Sequence, residues 1–221
     1  ALPEADRRRI NMTSISNVNT LYGNEAYKRS RRTNARFINE TMMVTLLGAA
    51  VSDGLGDGRV VSGVGGQFDF VTMAQSLHDA QSILMCRARR ESGKEVTSNF
   101  RWKYPHATVP RHYRDVYVSE YGVAATRGLT DGEMIGAMLA IADSAFQDEL
   151  TREARNAGKL AGDFSLPSEH RRNTPQRLQE IFEKPEWGEH FPQYPLGTDF
   201  TFTERRLVSA LSWLAKHTDG K

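Results

Sequence analysis

The segment Gly63-Val64-Gly65-Gly66-Gln67-Phe68-Asp69-Phe70 constrains this chain more than any other. Its glycines stand between an apolar run and a stretch with helical spacing, so the chain passes from strand to helix through a turn that lacks Cβ atoms. Glycine reaches positive φ without steric cost, and bare backbone lets N–H groups approach a ligand closely, which suits an oxyanion or a thioester carbonyl. Upstream, residues 41–52 (TMMVTLLGAAVS) are almost uninterruptedly apolar and read as one buried strand, followed by a glycine-rich turn at 53–58. Downstream, Phe70, Met73, Ala74 and Leu77 fall at helical spacing over 68–77.

The rest of the chain alternates in the same way. Residues 82–89 (SILMCRAR) and 114–120 (RDVYVSE) read as strands of one sheet, the second with Val116 and Val118 on one face. Residues 131–155 carry Met134, Ile135, Met138, Leu139, Phe146 and Leu150 at helical spacing, capped by Thr130 or Asp131 and broken near Asp143. Beyond Gly158 the sequence turns polar and carries Pro167, Pro175, Pro185, Pro192 and Pro195 before a last apolar helix at 202–214. Strands alternating with helices predict an α/β sheet with helical cover. We expect a domain at 1–160, with 161–221 an irregular, Pro-rich extension packed on it.

Several function classes lose their footing on inspection. The formal net charge is only +2, so bulk charge selects no polyanionic partner. Cys86 stands alone, which forbids an internal disulfide and predicts a reducing, cytoplasmic setting. No apolar run reaches the ~18 residues of a membrane helix, so no membrane partner is expected. The patterns G-x-S-x-G, the P-loop and H-E-x-x-H are absent. In D-G-L-G-D-G, Leu55 and Val64 stand where a calcium loop needs its third ligand and its twelfth-position glutamate, so a tight turn is expected. The six histidines show no ligand spacing and none is assigned to a metal.

Two further features have competing readings. Residues 1–36 hold eight Lys/Arg against three Asp/Glu, which would serve a phosphate-bearing partner, although a solvated face on a capped basic helix at 24–33 is the commoner outcome. Gly65-Gly66-Gln67 is also the tripeptide with which peptide-chain release factors hydrolyse peptidyl-tRNA. There it occupies an exposed polar loop, whereas Val64, Phe68 and Phe70 here predict a turn docked on a core.

Three ordered stretches, SGVGGQFDF at 62–70, VSEYGVA at 118–124 followed by Arg127-Gly128, and IADSAFQDEL at 141–150, carry a family likeness. Over about residues 20–158 the chain resembles the C-terminal half of acetyl-CoA hydrolases and family-I CoA-transferases of the succinyl-CoA:acetate and 4-hydroxybutyrate type. The resemblance implies a NagB/RpiA-like open sheet covered by helices and an acyl transfer through an enzyme glutamate. That glutamate attacks the thioester to give an acyl anhydride, then a glutamyl-CoA thioester that a carboxylate acceptor or water resolves.

By the same resemblance Gly66 offers its N–H to the thioester oxygen and Gly65 allows the approach. Glu120 matches the second active-site glutamate of the family, and Asn24 and Gln67 join Gly65 as CoA-binding residues. Arg87, Arg89, Arg90 and Lys94 either meet the CoA phosphates or decorate a solvated hairpin. CoA or acyl-CoA is then substrate, with no permanently bound cofactor. The motif of the attacking glutamate has no match here, and the chain starts at Ala1 rather than Met. We therefore expect a piece of a longer enzyme, inactive alone, whose partner is the N-terminal half of the same polypeptide; a homodimer is compatible with this. The alternatives are a non-catalytic CoA-binding or scaffold module with the same fold and, ranked last, a nucleic-acid binder acting through the basic N-terminal stretch.

Overall fold

Two short helices, α1 (Glu4–Arg7) and α2 (Ile15–Asn19), and the basic helix α3 (Glu25–Arg31) precede the first strand in the computed structural model, which describes residues 2–188, 190–192 and 194–217. The expected solvated basic face is corrected at Lys28. Its ammonium is buried and donates to the carbonyls of Ser16, Thr20 and Tyr22, the last at 2.6 Å. Arg32 reaches the carbonyls of Asn17 and Val18, and Arg29 the carbonyl of Ser76. Lys28 and Arg32 fold the 16–22 segment onto α3, and Arg29 ties α3 to the end of the later helix at 67–76, each by satisfying main-chain acceptors with charge-assisted bonds that are stronger than neutral ones.

The main sheet follows. Strand β1 (Arg36–Glu40) runs into a hairpin of β2 (Met43–Thr45) and β3 (Ala50–Val51), so residues 41–52 form two short strands rather than the single one expected. The reversal falls at Gly48, where φ is +94° and an added Cβ would lie 2.9 Å from Met134 Cε and 3.0 Å from Arg114 Cβ. The Tyr117 hydroxyl donates to the Gly48 carbonyl at 2.7 Å. A glycine inside an apolar run thus marks a sharp bend pressed against the core, a signal masked by the hydrophobicity around it.

After the glycine loop come α4 (Gln67–Ser76) and β4 (Gln81–Met85), the hairpin β5 (Arg89–Ser92) and β6 (Glu95–Ser98), then β7 (Phe100–Arg101), β8 (Val116–Ser119) and β9 (Gly122–Ala125). The four-stranded sheet has the order β1-β4-β8-β9, with the first three strands parallel and β9 antiparallel, while β7 pairs with β2 in a smaller sheet β3-β2-β7. Phe37, Leu84, Tyr117 and Ala124 share one face of the larger sheet. There α4 stacks Phe70 on Phe37 with ring centroids 5.6 Å apart.

Helix α5 (Asp131–Ala140) starts at a capping box in which Thr130 accepts from the Glu133 N–H and Glu133 accepts from the Thr130 N–H. Met134, Ile135, Met138 and Leu139 are wholly buried on that helix. Asp143 breaks the helical run as expected, and its carboxylate caps α6 (Ser144–Asn156) through the Ala145 N–H. The orphan carbonyls at the end of α5 are taken by buried amides: Gln147 bonds Leu139 and Ala142, and Asn173 bonds Ala140 and Ala142. Phe164 and Leu166 pack into the same core, and the first compact unit spans Ala1–Arg177, beyond the expected boundary at 160.

The second unit, Leu178–Lys221, takes in most of α7 (Pro175–Phe182), then α8 (Pro185–Gly188) and α9 (Phe202–His217), where the last apolar helix was expected. Phe191 packs edge-on against Phe182 and stacks on Trp187. No helix among the described residues is long and apolar enough to cross a membrane.

Substituting Gly48→Ala combines strain at positive φ with overpacking, and we expect a loss of roughly 2–4 kcal/mol, read as a lower urea midpoint with an unchanged slope. Burial raises the Tyr117 hydroxyl far above its ordinary value, and burial together with the bond to Asp143 does the same for Tyr121. The folded state keeps these protons while the unfolded chain releases them near pH 10. Stability is therefore full below that pH and falls as pH rises above it. Tyr117→Phe should be less stable at neutral pH, yet show a shallower alkaline decline in the same titration.

Candidate functional site

Parallel strands that start in register also end in register, and the ends of β1, β4 and β8 form one rim. The ladder continues past the strands, with the Thr41 N–H donating to Met85 O at 2.8 Å and the Cys86 N–H to Val118 O at 2.9 Å. Open α/β sheets bind ligands at this carboxyl edge. Glu40 ends β1, Cys86 follows β4, and Glu120 opens the two-residue turn between β8 and β9. Two interstrand spacings, about 10 Å, separate the first and last of these positions.

The glycine loop reaches the same rim. The Gln67 side-chain amide donates to the Glu40 carbonyl at 3.0 Å, fixing the start of α4 against the end of β1. Gln67 is buried and its Oε1 has no hydrogen-bond partner, as is true of the Asn39 amide nitrogen on β1. Gly65 sits at φ +59°, with open space where a Cβ would be. Gly66 takes the N-cap place of α4, and an added Cβ there would fall 2.5 Å from the Asn19 side-chain nitrogen. Among the described residues, neither the Gly65 nor the Gly66 N–H donates a hydrogen bond. Helix starts leave such donors unpaired and favour negative charge beside them.

Glu120 is exposed, but its carboxylate is fixed by the Ala88 N–H at 2.8 Å. Next to it, the Tyr121 hydroxyl donates to buried Asp143 at 2.8 Å, and Arg89 lies 3.6 Å from the same carboxylate and 2.6 Å from Glu91. The turn that presents Glu120 is thereby clamped to the N-terminus of α6. Cys86 lies buried between the two rim carboxylates. Desolvation raises its thiol well above the ordinary range, and the charges of Glu120 and Glu40 raise it further. Its Sγ lies against the Met42 and Arg87 carbonyls, packed into the core.

Gly65, Gly66 and Gln67 thus share the rim with Glu120. Asn24 is exposed at the left-handed N-cap of α3 and makes no capping bond. Asn19, which the sequence reading missed, presses on Gly66 and helps line a cleft of about 430 Å³ with Tyr22, Arg29, Asp69 and Thr72. Its segment carries no motif that would have singled it out. Arg87, Arg90 and Lys94 are exposed on and beside the β5–β6 hairpin.

The aspartate-glycine loop is a turn, closed by the Leu55 N–H on Arg59 O. Asp53 accepts from the Thr108 hydroxyl and from His106, and the Thr108 bond first and the His106 bond next hold its carboxyl below the usual range. Among the described residues, no group of three or more His, Cys, Asp or Glu is placed to hold a metal ion.

Comparison with known proteins gives the following matches. The family profile described as "Acetyl-CoA hydrolase/transferase C-terminal domain" matches residues 4–154. A probable butyrate:acetyl-CoA coenzyme A-transferase of Syntrophomonas wolfei is 36% identical over 121 residues, covering 53% of this chain and 27% of that protein. A succinyl-CoA:cyclohexane-1-carboxylate CoA transferase of Geobacter metallireducens is 30% identical over 141 residues, covering 63% and 32%. The crystal structure of RipA from Yersinia pestis superposes with a TM-score of 0.54 at 28% identity, covering 64% of this chain and 31% of RipA. The chain spans about a quarter to a third of the length of these relatives.

Burial of Cys86 predicts that a maleimide leaves it unmodified in the native protein at pH 8.5 and labels it fully in denaturant. Native labelling at the rate of a free thiol would place it on the surface instead.

Proposed function

The chain belongs to the acetyl-CoA hydrolase/transferase C-terminal domain family, and on that premise we propose that it forms the CoA-facing wall of an acyl-CoA hydrolase or CoA-transferase site. The observation that carries this reading is the pair of undonated amides at Gly65 and Gly66, set on the same rim as Glu120. In this reading the attacking carboxylate comes from the N-terminal half of the same polypeptide, outside this chain.

That carboxylate oxygen adds to the thioester carbonyl, and the Gly66 N–H receives the oxyanion. Collapse expels CoA thiolate and leaves an acyl-glutamyl anhydride. The thiolate then attacks the glutamyl carbonyl and releases the acyl group as a carboxylate, leaving glutamyl-CoA for an acceptor carboxylate or water. Glu120, held by the Ala88 N–H, is a fixed polar partner beside the reacting centre, and Gln67, tied to the Glu40 carbonyl, holds the glycine loop against the rim where the pantetheine arm would pass.

Binding is testable on this chain alone. CoA at about 100 times its dissociation constant should add about 2.7 kcal/mol of stability, and Gly66→Val should remove the increment while leaving the protein folded. In the full-length polypeptide, Glu120→Gln should lower kcat for CoA transfer by about a hundredfold. No stabilisation by millimolar CoA would sink the reading.

A further inference from the structure

The glycine loop is tied down at both ends. Its far end is the start of α4, where Gln67 holds the Glu40 carbonyl. Its near end is the aspartate-glycine turn, in which Gly54 bridges Val60 and the Asp53 carbonyl accepts from the Val61 N–H at 2.7 Å and the Ser62 N–H at 3.3 Å. Between these anchors the N–H groups of Gly63, Val64, Gly65 and Gly66 donate to nothing among the described residues. Three of those four residues are glycines, so the segment has little stiffness of its own and its ends decide where the amides point.

What fixes Asp53 comes from 53 and 55 residues further along the chain. Its carboxylate accepts from the Thr108 hydroxyl and, at 2.9 Å, from His106 Nε2. A carboxylate can only accept, so the imidazole carries a proton on Nε2. The ring covers Gly54, where an added Cβ would lie 2.8 Å from Nε2, and the Gly56 N–H donates to the Tyr104 hydroxyl at 2.8 Å. Thr108 is itself held: its hydroxyl accepts from the Ser52 N–H, while its own N–H and that of Val109 donate to the Ala50 carbonyl. Residues 104–109 are thus anchored on β3, and Asp53 is where they grip the turn.

We propose that Asp53, held by His106 and Thr108, is a positioning residue for the acyl-transfer site: it fixes the entry of the glycine loop and so aims the Gly65 and Gly66 amides. The inference rests on the reading above that those amides receive the thioester oxygen. Such a site works by having its donors in place before charge develops, so a loop released at one end loses ligand affinity without losing the fold. Asp53 and His106 act in this role through the Asp53 carbonyl, not by contact with the reacting atoms.

Two readouts on this chain at neutral pH test the assignment. Residue-resolved hydrogen exchange of the Val61 and Ser62 amides should quicken about tenfold in Asp53→Ala and His106→Leu, while the amides of β1, β4 and β8 stay protected and report that the variants fold. His106→Leu keeps the Thr108 bond, so it carries the test alone if Asp53→Ala does not fold. CoA affinity, read from thermal shifts across a CoA titration, should fall about tenfold in the same variants. His106→Gln, whose side-chain amide can still donate to the carboxylate, should restore both slow exchange and affinity, a rescue that general destabilisation does not give. Unchanged exchange at Val61 and Ser62 overturns the inference, and so does faster exchange with CoA affinity intact. Indifference of the unsubstituted chain to CoA removes the proposed function and this role together, whereas CoA binding that the variants keep removes this role alone.

Discussion

The alignment of three parallel strand ends is the constraint on which everything else in the first unit depends. Main-chain bonds from Thr41 to Met85 and from Cys86 to Val118 carry the ladder one residue past the strands, so that the chain leaves the sheet three times at one level. Each departure places a polar group there: Glu40 with its carbonyl bound by Gln67, the loop of Cys86 to Ala88, and the turn of Glu120. A slip of one residue in any strand would turn its side chains to the other face and scatter the rim.

Around that constraint the sequence was legible wherever local chemistry dominates. The capping box at Thr130, the break at Asp143 and the helical spacing from Phe70 to Leu77 predict their elements, and the structure forms them. Legibility failed where a tertiary contact decides. Residues 41–52 have the composition of one strand, yet Gly48 is pressed between Met134, Arg114 and the Tyr117 hydroxyl, partners far away in sequence, and so becomes a hairpin turn. Lys28 reads as a surface cation until the carbonyls of Ser16, Thr20 and Tyr22 are folded onto it.

The candidate site divides in the same way. The glycine pair is visible in sequence because backbone without side chains has recognisable surroundings, whereas Glu120 stands out only through the family likeness of the VSEYGVA stretch. Their common location is not visible, since it follows from the parallel register and from Gln67 binding the Glu40 carbonyl. Asn19 was invisible altogether: its contact with Gly66 exists only because the N-terminal segment folds back on α4.

That fold-back has a consequence for how such proteins drift. Lys28 and Arg32 grip carbonyl oxygens, which every residue type supplies, so these bonds hold the path of the arm from 16 to 22 whatever its side chains are. Two side chains of the arm have packing partners of their own: Asn19 against the glycine loop and Leu21 against the cluster of Met73, Ala74 and Leu77. Shape would then outlast spelling in this stretch, and an asparagine beside the loop could migrate along the arm without leaving a trace in any motif.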